Sequence, residues 1–439
     1  VEGSIFVVEA NGRLTSKVLE AGTGIQTDAE KLFCSIQHGT RACAEQDQIA
    51  NNNNNETRGA FSLEQSETSL NLPAFDMELA HNLYQRIFEP VSQVLYSKKK
   101  LIIVSSDEAL ATLPFQLLLL SPHELSDGET SDIGSTYANA PWLIRQWAIS
   151  VSTSVSAFTA SRSQEQEVTE TNRKPFLGIG DPVIGTQGEI DCSEFTSTKL
   201  AAVSRGLVDV STQELFPNNE EDLRFADVNA VRRLARLPDT RCELESIATS
   251  LEGGDLLLDD EATEAQIKNL DELDKLADYD IISFATHGLV AGETNLAEPA
   301  LVLTPPKTGS LQDDGLLTAS EVAGLNLNAE WVLLSACNTA SGTIDTGSGY
   351  QENESFAGLA RAFFYAGAKS LLVSHWPVQS EAAVELTTET FQILSEQPDT
   401  DRASAFRLAM LAILDDPNAT EFTTHPRYWA PFTLLGESR

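Results

Sequence analysis

Basic residues are scarce in this chain. Its 439 residues hold 29 Lys plus Arg against 65 Asp plus Glu, a formal net charge of −36 at pH 7. A phosphate backbone repels such a chain, so nucleic acid is excluded as a direct partner, while basic peptides and basic protein surfaces are attracted. Long apolar runs are missing too. Apolar runs are only a few residues long, as at Leu117–Leu120, far short of the roughly 20 residues of a membrane span, so no membrane contact is expected. No signal peptide is read at the start. The chain opens on Val1 rather than Met and is expected to be a piece of something longer. The five cysteines, Cys34, Cys43, Cys192, Cys242 and Cys337, are odd in number and scattered, with no C-x-x-C. That spacing argues against a disulfide framework and against structural zinc, and points to a reducing, cytoplasmic setting with no metal or cofactor. No internal repeat is visible.

What is present is ample core material, 41% hydrophobic residues, over a length that suggests two or three domains. The first segment, Ser4–Leu19, alternates apolar and polar residues around Asn11-Gly12, a strong hairpin signal. Residues 39–71 are polar, with five consecutive Asn at 51–55, and read as a loop. Helical spacing follows over Phe75–Tyr96, then strands at 101–105, 147–155 and 176–180. Residues 183–239 read as a long excursion. From Pro238 the pattern becomes regular. Helices are expected at 240–251 (with Glu243 in a capping arrangement), 263–270, over LLTASEVAGL, over SFAGLARAFFYAG and from Ser380. Strands alternate with them: YDIISFA, ALVLT, EWVLLSAC and KSLLV. Such alternation argues for an α/β fold, a mostly parallel sheet with helices on both faces, and the continuous apolar strands suit a sheet covered twice.

Two chemically able residues sit just past buried strands. His287 follows IISFAT, and Cys337 follows WVLLSA. The carboxyl edge of an open α/β sheet is where active sites lie. A thiol beside an imidazole there gives a nucleophile and its base. Backbone N–H groups of Gly288 and Cys337 are the natural donors to an oxyanion. Taken singly, a lone Cys or His at a strand end is more often core. The pair at matching strand ends favours chemistry. His375, after SLLVS, is a rival base.

These segments resemble the CHAT-domain peptidases, caspase-like proteins of the separase clan that are often fused to tetratricopeptide repeats. The likeness rests on LIIVSSDEALATLPFQLLL, FLGIGDP, LPDTRCELESIA, DEATEAQIKNL, YDIISFATHG, LLTASEVAGL, WVLLSACNTASG, SFAGLARAFFYAGAKSLLVSHWPV and YWAPFTLLGE. The 50 residues from His287 to Cys337 match the caspase His–Cys spacing of about 50. The resemblance implies a cysteine endopeptidase with His287 as base and Cys337 as nucleophile, acting on a protein substrate. It also implies two caspase-like halves, a degenerate one over 1–235 and a catalytic one over 236–439.

One departure bears on specificity. Where relatives carry an Asp after the W-x-V motif, this chain has Ser380, in Trp376-Pro377-Val378-Gln379-Ser380-Glu381. A position there can equally be a helix N-cap, where Ser and Asp interchange. The expected substrate-binding set is Ser335, Trp376, Ser380 and Glu381, with an uncharged or small P1 side chain favoured over Arg. The polar loop Gly342–Ser355 holds no Lys or Arg, so self-cleavage there after a basic residue is excluded. The chain is expected to be latent until a repeat-containing or other partner, or an attached domain, orders that loop. The competing reading is an idle scaffold or interaction module that kept the fold; a non-peptidase thiol hydrolase or acyltransferase is weaker.

Overall fold

The apolar runs IISF, WVLL and SLLV become central strands of a large, mostly parallel sheet flanked by helices, as the pattern implied. The structure, a computed structural model, describes residues 4–9, 13–18, 24–36, 74–105, 110, 113–123, 133–152, 173–186, 192, 225–289, 298–336, 358–376 and 378–437. The expected Asn-rich loop, the Asn11-Gly12 turn, Cys337 and the 342–355 loop lie outside them. The chain separates into two units, Val1–Ile149 with Met410–Ala430, and Ser150–Ala409 with Pro431–Arg439. The division expected at 235 is not where compactness breaks. The strand at Lys174–Pro182 lies on the near side of that boundary, yet it hydrogen-bonds to strands that follow it.

In the first unit, β1 (Ser4–Val8) and β2 (Leu14–Val18) form the antiparallel hairpin that the alternation announced. The helix Met77–Ile87 starts where the Asp76 carboxylate accepts from the Leu79 N–H, and it buries Ala80, Leu83, Tyr84 and Ile87. Trp142 and Trp429 meet edge to face at 5.2 Å in the core. The strand β3 (Lys100–Val104) also belongs here.

The second unit carries the sheet. Its strands are β4 (Ala148–Ser152, entering at Ser150), β5 (Lys174–Pro182), β6 (Asp255–Asp259), β7 (Tyr279–Ala285), β8 (Gly288–Leu289), β9 (Ala300–Val302), β10 (Leu316–Thr318), β11 (Trp331–Leu334), β12 (Ser370–Ser374) and β13 (Phe432–Gly436). Seven of these pair in the order β4-β13-β12-β11-β7-β5-β6. All neighbours are parallel except β12 and β13. The short strands β8, β9 and β10 form a separate antiparallel sheet.

The helix Asp239–Ser250 packs over β5, β6 and β7 and against the helix Ser380–Glu396. It can come this close because β5 presents Gly178 and Gly180 to it. A Cβ at Gly180 would stand 2.8 Å from Leu244 and 2.5 Å from the Ala285 carbonyl oxygen. The two alternate residues share one face of the strand, which is why FLGIG reads as glycine-interrupted yet sits mid-sheet.

Three local expectations are corrected. LLTASEVAGL is not one helix. Leu316–Thr318 is a strand, and Thr318 then caps the helix Ala319–Ala323 in a reciprocal box with Glu321. Glu243 does not cap its helix, because its carboxylate turns into the core. The cysteines are not all unpaired: Cys192 and Cys242 form a disulfide with Cα atoms 5.3 Å apart, and Cys34 is disulfide-bonded as well. Pairing depends on approach in space, which scattered spacing does not reveal. The argument for a reducing compartment from unpaired cysteines therefore falls. Among the described residues, no helix is long and apolar enough to cross a membrane.

Candidate active site

Strands β7 and β11 lie side by side and parallel, with Leu334 opposite Phe284. His287 comes three residues after Phe284, and Cys337 three residues after Leu334. Cys337 itself lies outside the described residues, but the chain leading to it is pinned on two sides. The Ser374 hydroxyl at the end of β12 donates to the Ala336 carbonyl at 2.5 Å. The Ser335 hydroxyl donates to Glu243 at 3.1 Å, and the Thr387 hydroxyl donates to the other oxygen of that carboxylate at 3.3 Å. Glu243 and Thr387 are fully buried. The carboxylate thus ties the end of β11 to both helices behind the sheet.

His287 is 3% exposed. Its Nε2 lies 2.6 Å from the Ala235 carbonyl oxygen. A carbonyl only accepts, so Nε2 carries the proton, and in the neutral ring Nδ1 is the basic nitrogen. Just before it, the buried Thr286 hydroxyl donates to the Val302 carbonyl, and the Val302 N–H donates to the His287 carbonyl. Both the ring and the backbone of His287 are therefore held. Gly288 follows in β8, opposite Leu301 and half-buried.

The segment that supplies the Ala235 carbonyl is anchored by charges. Arg236 forks onto Asp181, Nε to one carboxylate oxygen and a terminal nitrogen to the other, each at 2.8 Å. Arg241 adds a 3.0 Å bond to the same carboxylate, and both guanidiniums also reach Asp259. Asp181 ends the run FLGIGD with φ +46°, a left-handed conformation that Asp tolerates, and its N–H donates to the Thr240 hydroxyl. Burial is the larger influence on the Asp181 carboxyl and raises it above its ordinary range, while Arg236 and Arg241 pull the other way.

The rival base lies in the core. His375 is fully buried, 2.6 Å from the Thr433 hydroxyl, and burial pushes its pKa down to about 3. It stays neutral near neutral pH, and it lies past β12, the neighbour of β11 on the side away from β7. His81 and His123 face backbone carbonyls, and His425 accepts the Arg427 N–H to start a short helix. Of the expected substrate-binding set, Ser335 is 3% exposed with its hydroxyl on Glu243, and Trp376 is fully buried. Ser380 opens the helix Ser380–Glu396, and Glu381 in its first turn keeps some exposure. No cluster of three or more potential metal ligands occurs among the described residues. The sequence reading did not find Ala235, Asp181, Arg236 or Glu243. Each acts through a partner 52 or more residues away, and only the charged spellings GDP and LPDTRCE marked the place.

Comparison with known proteins gives the family. A sequence profile of the CHAT domain matches residues 77–437. The chain belongs to the CHAT-domain family. Tetratricopeptide repeat protein 28 of Mus musculus is 32% identical over 121 residues, 28% of this chain but 4% of that much longer protein. Among solved structures, the Porphyromonas gingivalis RgpB pro- and mature-domain complex aligns over 95% of this chain and 77% of that one, at 10% identity and a TM-score of 0.41. The Arg-specific cysteine proteinase gingipain R aligns over 83% and 68%, at 11% and 0.40. The separase–securin complex of Saccharomyces cerevisiae aligns over 84% and 18%, at 11% and 0.36. As a CHAT domain, this chain carries His287 just past the strand beside the one that leads to Cys337.

Proposed function

We propose that this CHAT domain is a cysteine endopeptidase in which His287 activates Cys337. The observation that carries the reading is the β7–β11 register, with its equal three-residue extensions to the imidazole and the thiol. His287 Nε2 donates to Ala235, so Nδ1 is the basic nitrogen, the one that takes the thiol proton. The thiolate then attacks a peptide carbonyl, the amine leaves with that proton, and water releases the acyl group. Gly288 and Cys337 supply N–H groups to the oxyanion.

The domain is latent in this state. The base is only 3% exposed, so little of it is open to a protein chain. Substrate entry then requires an opening that an activating partner or attached domain supplies, and a repeat-containing protein is the favoured class. The same opening would uncover Trp376 as an apolar wall. With Ser380 where relatives carry an acid, the pocket takes an uncharged or small P1 residue. Burying Arg against a hydroxyl leaves its charge uncompensated. The excess of acids favours basic residues at outer subsites. It also disfavours a phosphate backbone as a partner.

The buried base also suits the second reading, an idle scaffold that kept the fold. Cleavage of a positional peptide library separates the two. The wild-type chain is expected to cleave weakly but selectively, and Cys337→Ala and His287→Ala to lose all but a small residue of that rate. Equal cleavage by the variants, or none by the wild type with every partner tried, would favour the scaffold.

A further inference from the structure

A loop carbonyl can turn away from its partner unless the chain is held on both sides of it. Ala235 is held on both. Upstream, the Arg232 carbonyl accepts from the Gly185 N–H at 2.8 Å. Gly185 has φ +58°, and a Cβ there would stand 2.6 Å from the Leu234 carbonyl oxygen, so the two stretches run in close contact. Downstream, the very next residue is Arg236, whose fork onto Asp181 fixes two planar groups edge to edge.

Asp181 is in turn fixed against the strand that carries the base. It follows Gly180, which stands opposite Ala285 in the β5–β7 register, and Ala285 is two residues before His287. Its carboxylate is fully buried, so the pair with Arg236 is shielded from water. The Ala235 carbonyl and the His287 ring are thus both referenced to one rung of the sheet. A Gln at 236 would keep a donor but lose the fork and the charge.

We propose that Arg236 is a positioning residue for His287. Through Asp181 it holds the Ala235 carbonyl where that oxygen keeps the proton on Nε2 and leaves Nδ1 as the base. This rests on the reading of His287 as the general base. Arg241 is the internal comparison. It pairs with the same Asp181 and Asp259, but from the helix behind and six positions from Ala235. A role in folding alone makes the two arginines equivalent, whereas positioning singles out Arg236.

The test reads the imidazole directly. The full chain, labelled with 15N-histidine, has six His to resolve, and the His287 signal is the one lost in His287→Gln. Long-range 1H–15N correlation at neutral pH then reports the tautomer. The wild type and Arg241→Gln are expected to show the Nε2–H form. Arg236→Gln, with an unchanged circular dichroism spectrum, is expected to show an averaged or Nδ1–H form. Its peptidase kcat should fall roughly tenfold or more with KM little changed. A wild-type tautomer in Arg236→Gln, or the same change in Arg241→Gln, overturns the proposal. If Arg236→Gln does not fold, Arg236→Lys keeps the charge without the fork, and a wild-type tautomer there counts against positioning. The tautomer is read without turnover. Failure of the dyad would show instead as cleavage that survives Cys337→Ala.

Discussion

Leu334 stands directly across from Phe284 in parallel register, and each is followed three residues later by one member of the proposed dyad. The strands on either side serve this arrangement. On one, β12 offers Ser374 to the Ala336 carbonyl. On the other, β5 carries Asp181 near its end, the anchor of the segment that orients the base. A spacing of 50 residues in sequence is thereby turned into neighbouring strand ends.

The closeness of β5 to β7 gives the first prediction. Gly180→Ala places a methyl group 2.5 Å from the Ala285 carbonyl oxygen, a backbone atom that cannot step aside alone. The variant should lose about 1–3 kcal/mol of stability from overpacking. The urea midpoint of the variant against the wild type measures it, and an unchanged midpoint would show that β5 has room to spare.

Glu243 gives the second. It accepts from Ser335 and Thr387 in a site closed to water. Glu243→Ala removes both bonds and leaves a void, and should destabilise by roughly 2–4 kcal/mol. Glu243→Gln keeps the side chain's shape and one carbonyl acceptor, so it should lose distinctly less. Equal losses for Ala and Gln would mean that the two hydroxyls do not depend on this carboxylate.

The pH dependence of stability follows from His375. Burial lowers its pKa in the fold from 6.5 to about 3, while in the unfolded chain it titrates normally. Between those values the unfolded state holds the extra proton. Stability therefore rises with pH across that window and is lost on acidification below about 6.5, by up to about 1.4 kcal/mol per pH unit. His375→Gln should flatten the slope of the urea midpoint between pH 7 and pH 5. An equally steep slope in that variant would move the origin to other groups.

The disulfide is also checkable. Peptide mapping without reductant should recover the fragments holding Cys192 and Cys242 joined. Reduction should lower stability by about 2–4 kcal/mol for a closed loop of 50 residues. Free thiols at both positions in the purified, air-exposed protein would contradict the pairing.

Much of the fold was legible because its elements are locally consistent. Apolar runs bounded by turns gave the central strands, and helical spacing gave Met77–Ile87 and Asp239–Ser250. The strand end at His287 was legible for the same reason. What stayed hidden depends on approach between distant segments. Arg236 and Asp181 are 55 residues apart, and nothing in either neighbourhood announces the other. Glu243 sits where a capping residue belongs, so local rules misassigned it. Its true partners, Ser335 and Thr387, are 92 and 144 residues further on. Cys192 and Cys242 were misjudged on spacing, which says little about closeness in space.

The central claim, that His287 activates Cys337, is tested most directly by alkylation with a small reagent such as iodoacetamide. The modified cysteine is located by mass spectrometry, and its rate is followed across pH. A small reagent can enter a site closed to proteins. The account predicts selective modification of Cys337 in the wild type that persists well below the ordinary thiol range near pH 8.5, and a rate at least roughly tenfold lower in His287→Ala at pH 6.5. Equal rates in the two proteins, or a Cys337 that reacts only as an ordinary thiol does, would contradict it.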